Sequence, residues 1–180
     1  MVFLAIKSHI KTNTLVGLQT KPSFSPLHVI LPCTLYAGVA LSYGLVSDLF
    51  EFKSIQSEFI FILPLTLFLF PSLLEEIIFR GFIIPIDAKE KEWRKKSSYI
   101  LLSTSLFVLW HPFNASMVNK GAQEYFFDIR FLLVVTLLGL VCSYTYVYSK
   151  SIWIPTIIHW LTVVVWVFLL GGRNLLLELE

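Results

Sequence analysis

Glu75 and Glu76 stand side by side in EEIIFR, and Arg80 closes that stretch. Two more ionisable side chains fall in hydrophobic runs: His111 ends FVLWH, and His159 lies inside IPTIIHWLTVVVW. By type, a carboxylate pair, a guanidinium and two imidazoles can hold a water, take a proton from it and stabilise an oxyanion. On a helix Glu76 and Arg80 share a face four residues apart, acid before base, and attract strongly in low dielectric. Glu75 is turned about 100° from Glu76. A carboxylate with no cation beside it, in apolar surroundings, suits proton transfer near neutral pH. A purely structural ion pair explains Glu76 and Arg80 and leaves Glu75 over.

Phe107 and His111 also share a helix face. Pro112 follows at once, so His111 is expected at a helix end, beside free backbone carbonyls. Pro155, four residues before His159, is expected to kink its helix. Each histidine alone reads as an interhelical hydrogen bond. Together, two histidines and a glutamate pair on three hydrophobic segments must all find polar partners, and the economical solution is that they find one another. Two histidines and a carboxylate are also a zinc-ligand set with water in the fourth position. There is no HExxH, and Arg80 would put a positive charge beside the metal, so the reading is no cofactor, with zinc as the alternative.

These residues need elements to hold them. The chain has 180 residues, of which 56% are hydrophobic and 14% charged, and its mean hydropathy is +0.76. Soluble domains carry about 25% charged residues. The fold class that follows is all-α: a polytopic integral membrane helix bundle with about five transmembrane helices. Apolar segments lie near 28–47, 58–84, 99–111, 131–149 and 152–171. A span needs about 20 residues, and the third segment is short by that measure. Residues 1–27 read as a cytoplasmic or membrane-surface segment, helical or disordered and not a signal peptide. Residues 28–180 read as one membrane-embedded domain. Residues 112–130 read as a loop whose Met117, Tyr125, Phe126 and Phe127 anchor at the interface or form a lid near His111.

Charge orients the bundle. With a cytoplasmic N-terminus and five crossings, Lys7, Lys11, Lys21, Lys89, Lys91, Arg94, Lys95, Lys96 and Lys150 lie inside, against Lys53, Lys120, Arg130 and Arg173 outside. That bias agrees with the positive-inside rule. The basic 87–98 loop follows the glutamate cluster, which suggests a site opening toward the cytoplasmic side. The net charge is only +2, and KEKEWRKK is interleaved with Glu90 and Glu92, so no nucleic-acid partner is implied. Cys33 and Cys142 lie in apolar runs without ligand spacing and read as small buried hydrophobes.

EEIIFR fits an EExxxR pattern, FVLWH fits FxxxH, and His159 falls where a third histidine is expected on a later helix. Over residues 70–170 the sequence resembles the CPBP family, the CAAX-protease and bacteriocin-processing or abortive-infection family of intramembrane glutamate endopeptidases. The resemblance implies that Glu75 activates water together with His111. Glu76 and Arg80 would hold the helix geometry, and His159 would stabilise the oxyanion. Phe107, Thr162 and Val163 would support substrate or oxyanion. The family often has Asn where this chain has Val163; Thr162 could offer a hydroxyl instead, or bond back to a helix carbonyl. The implied partners are a membrane-associated peptide or protein substrate and the lipid bilayer. Rival readings are a zinc-dependent membrane protease, a non-catalytic immunity or scaffold protein of the same fold, and a proton-coupled transporter. A scaffold has no need for all five polar residues, and five spans without a repeat disfavour a transporter.

Overall fold

The computed structural model describes residues 2–173, and their side chains from residue 10 onward. Residue 1 of the 1–27 segment and residues 174–180 of the 28–180 domain lie outside the described residues. The described chain is helical nearly throughout, with one isolated parallel bridge between Lys53 and Leu170. The helices are α1 (Val2–Gln19), α2 (Pro26–Val46), α3 (Leu63–Leu67), α4 (residues 68–81), α5 (Trp93–Met117), α6 (Gln123–Phe126), α7 (Ile129–Ser149) and α8 (Trp153–Leu169).

Local chemistry sets several boundaries. Ser25 caps α2 by accepting from the His28 amide, and Pro26 occupies the first turn, where its missing N–H costs nothing. Asp128 caps α7, accepting from the Arg130 amide at 2.8 Å. Lys150 ends α7 in the left-handed region at φ 58°. Phe70 leaves helical geometry at φ −133° and ψ 118° because Pro71 follows and crowds the α conformation. The rest of α4 is wide: π turns at Phe68–Leu73 and Ile77–Gly81 flank Leu74–Glu76. Such turns expose backbone and side chains at angles a regular helix does not offer.

The chain runs back and forth between two ends. At one, Arg130 donates to the Ser47 carbonyl at 2.7 Å and the Lys53 amide donates to the Leu169 carbonyl at 3.0 Å. At the other, Lys150 pairs with Glu90 at 2.6 Å, Ser151 donates to the Thr20 carbonyl at 2.8 Å, and the Ile152 amide donates to the Gly17 carbonyl at 3.0 Å. α1 is therefore docked onto this second end. The hydrogen bond from Lys150 holds the Glu90 carboxyl below the ordinary carboxylate range.

Three expectations change. The third segment is not short: α5 has 25 residues, about 37 Å at 1.5 Å per residue. Pro112 does not end it. The proline costs one donor, to the Val108 carbonyl, and the helix continues to Met117. Residues 112–130 are consequently not a loop but the end of α5, a 3-10 turn at Lys120–Ala122, and α6. Pro155 makes no kink, because it sits in the first turn of α8, where no helical donor is needed.

Among the described residues two helices, α2 and α7, are long and apolar enough to cross a membrane. Large apolar side chains cover the outside: Leu65, Leu101, Leu109, Val39 and Phe61 face outward, while Glu76, Arg80, Ser103, Thr145 and Thr156 are fully buried. An apolar exterior, with a few paired polar groups set in an apolar core, is the arrangement of a protein whose solvent is lipid. Polar side chains tie the inner helices together: Ser103 donates to the Phe79 carbonyl at 2.7 Å and Ser143 to Ser103 at 3.2 Å. Gly139 on α7 lets α5 approach closely. A Cβ there would stand 3.0 Å from Thr104 Cγ2 and 3.1 Å from Phe107 Cδ1. Gly139→Val is expected to lower stability by about 1–3 kcal/mol through overpacking, read as a lower denaturation midpoint in detergent micelles, with Gly139→Ala losing less.

Candidate active site

α4 carries Glu75 and Glu76 in its regular turn and Arg80 in the wide turn that follows. Glu76 and Arg80 are fully buried, and Arg80 Nη1 donates to Glu76 Oε1 at 3.0 Å. The expected pairing is present, and it is part of something larger. His159 Nδ1 lies 2.9 Å from the same Oε1. Arg80 Nη2 donates to the Gly139 carbonyl at 3.1 Å, and the guanidinium carbon stands 4.5 Å over the Phe107 ring. One carboxylate oxygen thus joins α4 to α8, and one guanidinium joins α4 to α7 and α5. Oε1 accepts from Arg80, so the proton of the His159 contact is assigned to Nδ1. That leaves Nε2 of the neutral ring as an acceptor.

Glu75 is turned away from this network, as the helix geometry requires. Its partner is not His111. Trp110 Nε1 donates to Glu75 Oε1 at 2.9 Å, while Oε2 has no hydrogen-bond partner. His111 is 8% exposed, and its Nδ1 lies 2.9 Å from the Phe107 carbonyl. A carbonyl only accepts, so Nδ1 carries the proton and Nε2 is the ring's remaining acceptor. His111 lies mid-helix rather than at an end, and its Nδ1 is held by its own helix backbone.

Phe107 is fully buried and lies behind the cavity wall rather than on it. Its ring edges meet His111 at 5.1 Å and His159 at 5.5 Å between centroids, both nearly perpendicular. It packs behind both imidazoles and is not among the residues that line the cavity. Thr162 donates to the Ile158 carbonyl at 2.9 Å, which uses its one proton. Val163 presents only hydrocarbon.

Glu75, His111, His159, Thr162 and Val163 line one cavity of about 580 Å³, within the range of small-molecule and peptide sites. Its walls come from α2, α3, α4, α6, the C-terminal half of α5, the N-terminal half of α7, and α8 from His159 to Trp166. Phe50, Asn119 and Phe126 also line it, and no described residue of 82–98 does. The site therefore opens toward the end opposite the basic loop, which reverses the expectation. The reason is geometric: Glu75 precedes Arg80 by more than a turn, and α4 descends from the Phe50 end. Among the described residues no three His, Cys, Asp or Glu side chains are grouped as a metal site, and Cys33 and Cys142 are unpaired thiols.

Trp110 and Gly139 were not singled out by sequence reasoning. Trp110 had a signal: an indole N–H in an apolar segment needs an acceptor, and it adjoins His111. Gly139 had none, because it contributes a backbone carbonyl.

A family model described as type II CAAX prenyl endopeptidase Rce1-like matches residues 57–165, more than half the chain, including Glu75, Glu76, Arg80, His111 and His159. No curated protein and no solved structure matches. Removing one member of the buried ion pair strands the other. Glu76→Gln or Arg80→Met alone is expected to destabilise by about 3–5 kcal/mol, and the double variant by less than the sum of the two, as a denaturation series in micelles would measure.

Proposed function

The chain belongs to the type II CAAX prenyl endopeptidase Rce1-like family, and we propose that it is an intramembrane endopeptidase that hydrolyses a peptide bond with a water activated by Glu75 and His111. The observation that carries this reading is the convergence of Glu75, His111 and His159 on one cavity. Trp110 holds Glu75 by Oε1, so the unpartnered Oε2 is the atom that takes the proton. The Phe107 carbonyl holds His111 by Nδ1, so Nε2 accepts the water's second O–H. The hydroxide adds to the scissile carbonyl carbon, the C=O electron pair moves onto oxygen, and a protonated His159 ring donates its Nε2–H to that oxyanion. The C–N bond then breaks, and the proton held by Glu75 passes to the leaving amine. Glu76 and Arg80 position His159 and close the fold behind it; neither reaches the substrate.

The mechanism uses no metal, and zinc hydrolysis is the rival that a chelator tests. The substrate is a membrane-associated peptide or protein, and the bilayer is the other partner. The chain makes five membrane passes, through α2, α3 with α4, α5, α7 and α8, as one domain over 28–180 preceded by a cytoplasmic segment over 1–27. The basic side chains near Glu90 and Lys150 sort to the same end as the N-terminal segment, which supports that orientation. On it, the cavity faces the non-cytoplasmic side.

In proteoliposomes with a quenched fluorescent peptide, Glu75→Gln and His111→Ala are each expected to lower cleavage at least about a thousandfold, while insertion and melting are unchanged. Chelator treatment is expected to leave the wild-type rate intact; loss on chelation and recovery with zinc would favour the metal reading. For topology, cysteines placed at Asn119 and Lys95 are compared with an impermeant maleimide on intact cells. The Asn119 position is expected to label and the Lys95 position only after lysis; the reverse would invert the orientation.

A further inference from the structure

A tetrahedral intermediate places a full charge on oxygen and needs N–H or O–H groups aimed at it. The cavity wall holds few donors whose protons are unspent. Trp110 Nε1 is committed to Glu75, Thr162 to the Ile158 carbonyl, and Thr66 to the Leu63 carbonyl. In the neutral ring His159 gives its Nδ1 proton to Glu76, so Nε2 donates only when the ring is protonated. Apart from the amides of Asn114 and Asn119 and the Arg173 guanidinium, two wall groups remain. Tyr36 on α2 is 7% exposed, and its hydroxyl has no hydrogen-bond partner. Trp166 Nε1 is likewise unpartnered. Trp166 is two turns beyond His159, about 10 Å along the helix, too far to share one oxygen with it. The Tyr36 hydroxyl instead lies against Thr162, less than one turn from His159, without reaching hydrogen-bond geometry with it.

A buried hydroxyl without a partner costs about 1–3 kcal/mol. Thr162 could relieve it by turning its lone pair, and the structure does not take that option. We propose that the Tyr36 phenol is a catalytic residue of the peptidase, donating its O–H to the oxyanion from the cavity wall that it shares with Glu75, His111 and His159. No covalent step passes through it. As hydroxide adds, the carbonyl electron pair becomes O⁻ and accepts the hydrogen bond; on collapse the bond is released, and the phenol keeps its proton throughout. Tyr36 lies outside the matched segment 57–165. Its position makes α2, which is less covered by the rest of the bundle than α7, a part of the reacting centre. Any displacement of α2 toward lipid would then switch the site off without moving Glu75 or His111.

The inference rests on the hydrolase reading, and the test separates the two. Wild type, Tyr36→Phe, Thr162→Val and Glu75→Gln are compared in proteoliposomes with the quenched peptide for kcat, KM and melting temperature. Tyr36→Phe is expected to lower kcat about a hundredfold, with KM and melting temperature unchanged, since no hydrogen bond of the resting protein is lost. A kcat within about threefold of wild type, with Glu75→Gln inactive, overturns the role of Tyr36 and leaves the peptidase standing. A fall in kcat matched by an equal fall in melting temperature, reproduced by Thr162→Val, also overturns it and makes the pair structural. An active Glu75→Gln overturns both. Should Tyr36→Phe fold poorly, 3-fluorotyrosine at position 36 keeps the ring and hydroxyl and changes only the phenol's acidity. A changed kcat then supports the inference, and an unchanged one overturns it.

Discussion

Arg80 carries a permanent charge and touches neither water nor lipid. Everything near the centre of the bundle follows from the need to match it. Glu76 supplies the counter-charge one turn back, Gly139 supplies a carbonyl from α7, and Phe107 supplies a ring face from α5. Each partner comes from a different helix, so satisfying one guanidinium sets the spacing of three elements. A buried ion pair adds little net stability over well-packed hydrocarbon, but the loss of either half is costly. Its contribution is to exclude other helix arrangements, since any register that separates Arg80 from these groups strands a charge in an apolar interior.

The same network disposes the polar atoms of the cavity. Glu76 Oε1 takes Arg80 and His159 together, so the imidazole is held by Nδ1 and turned with Nε2 outward. The Phe107 carbonyl does the same for His111. Phe107 thus acts twice, through its backbone on one histidine and through its ring edges on both. The result is a cavity that brings the Nε2 acceptors of both imidazoles and the Glu75 carboxylate to one place.

The wide turns of α4 allow this crowding. A regular helix sends successive side chains around at fixed angles. The π turns on either side of Leu74–Glu76 let Glu75 reach Trp110 while Glu76 reaches His159 and Arg80. Phe70 and Pro71 break the helix before the cluster, which leaves room for the cavity on that side. The opening consequently faces the end where α2 stops and α7 begins, away from the basic turn around Glu90.

Residue type and spacing were enough to find Glu75, Glu76, Arg80, His111 and His159, because charge in hydrocarbon is expensive and survives only with partners. Hydropathy likewise determined an all-helical membrane class, and four-residue spacing determined the Glu76–Arg80 pair, since both depend on neighbours along the chain. The prolines misled for a local reason: Pro112 and Pro155 break a helix only where the lost donor matters, and continued packing or a first-turn position removes that condition. Which atoms meet across helices was decided by tertiary structure alone. Trp110 on Glu75, the Gly139 carbonyl on Arg80, the Thr162 proton spent on its own helix, and the direction in which the cavity opens all depend on distances between segments far apart in sequence. Backbone carbonyls carry no residue identity, and helix rotation is set by packing, so neither can be read from the order of the amino acids.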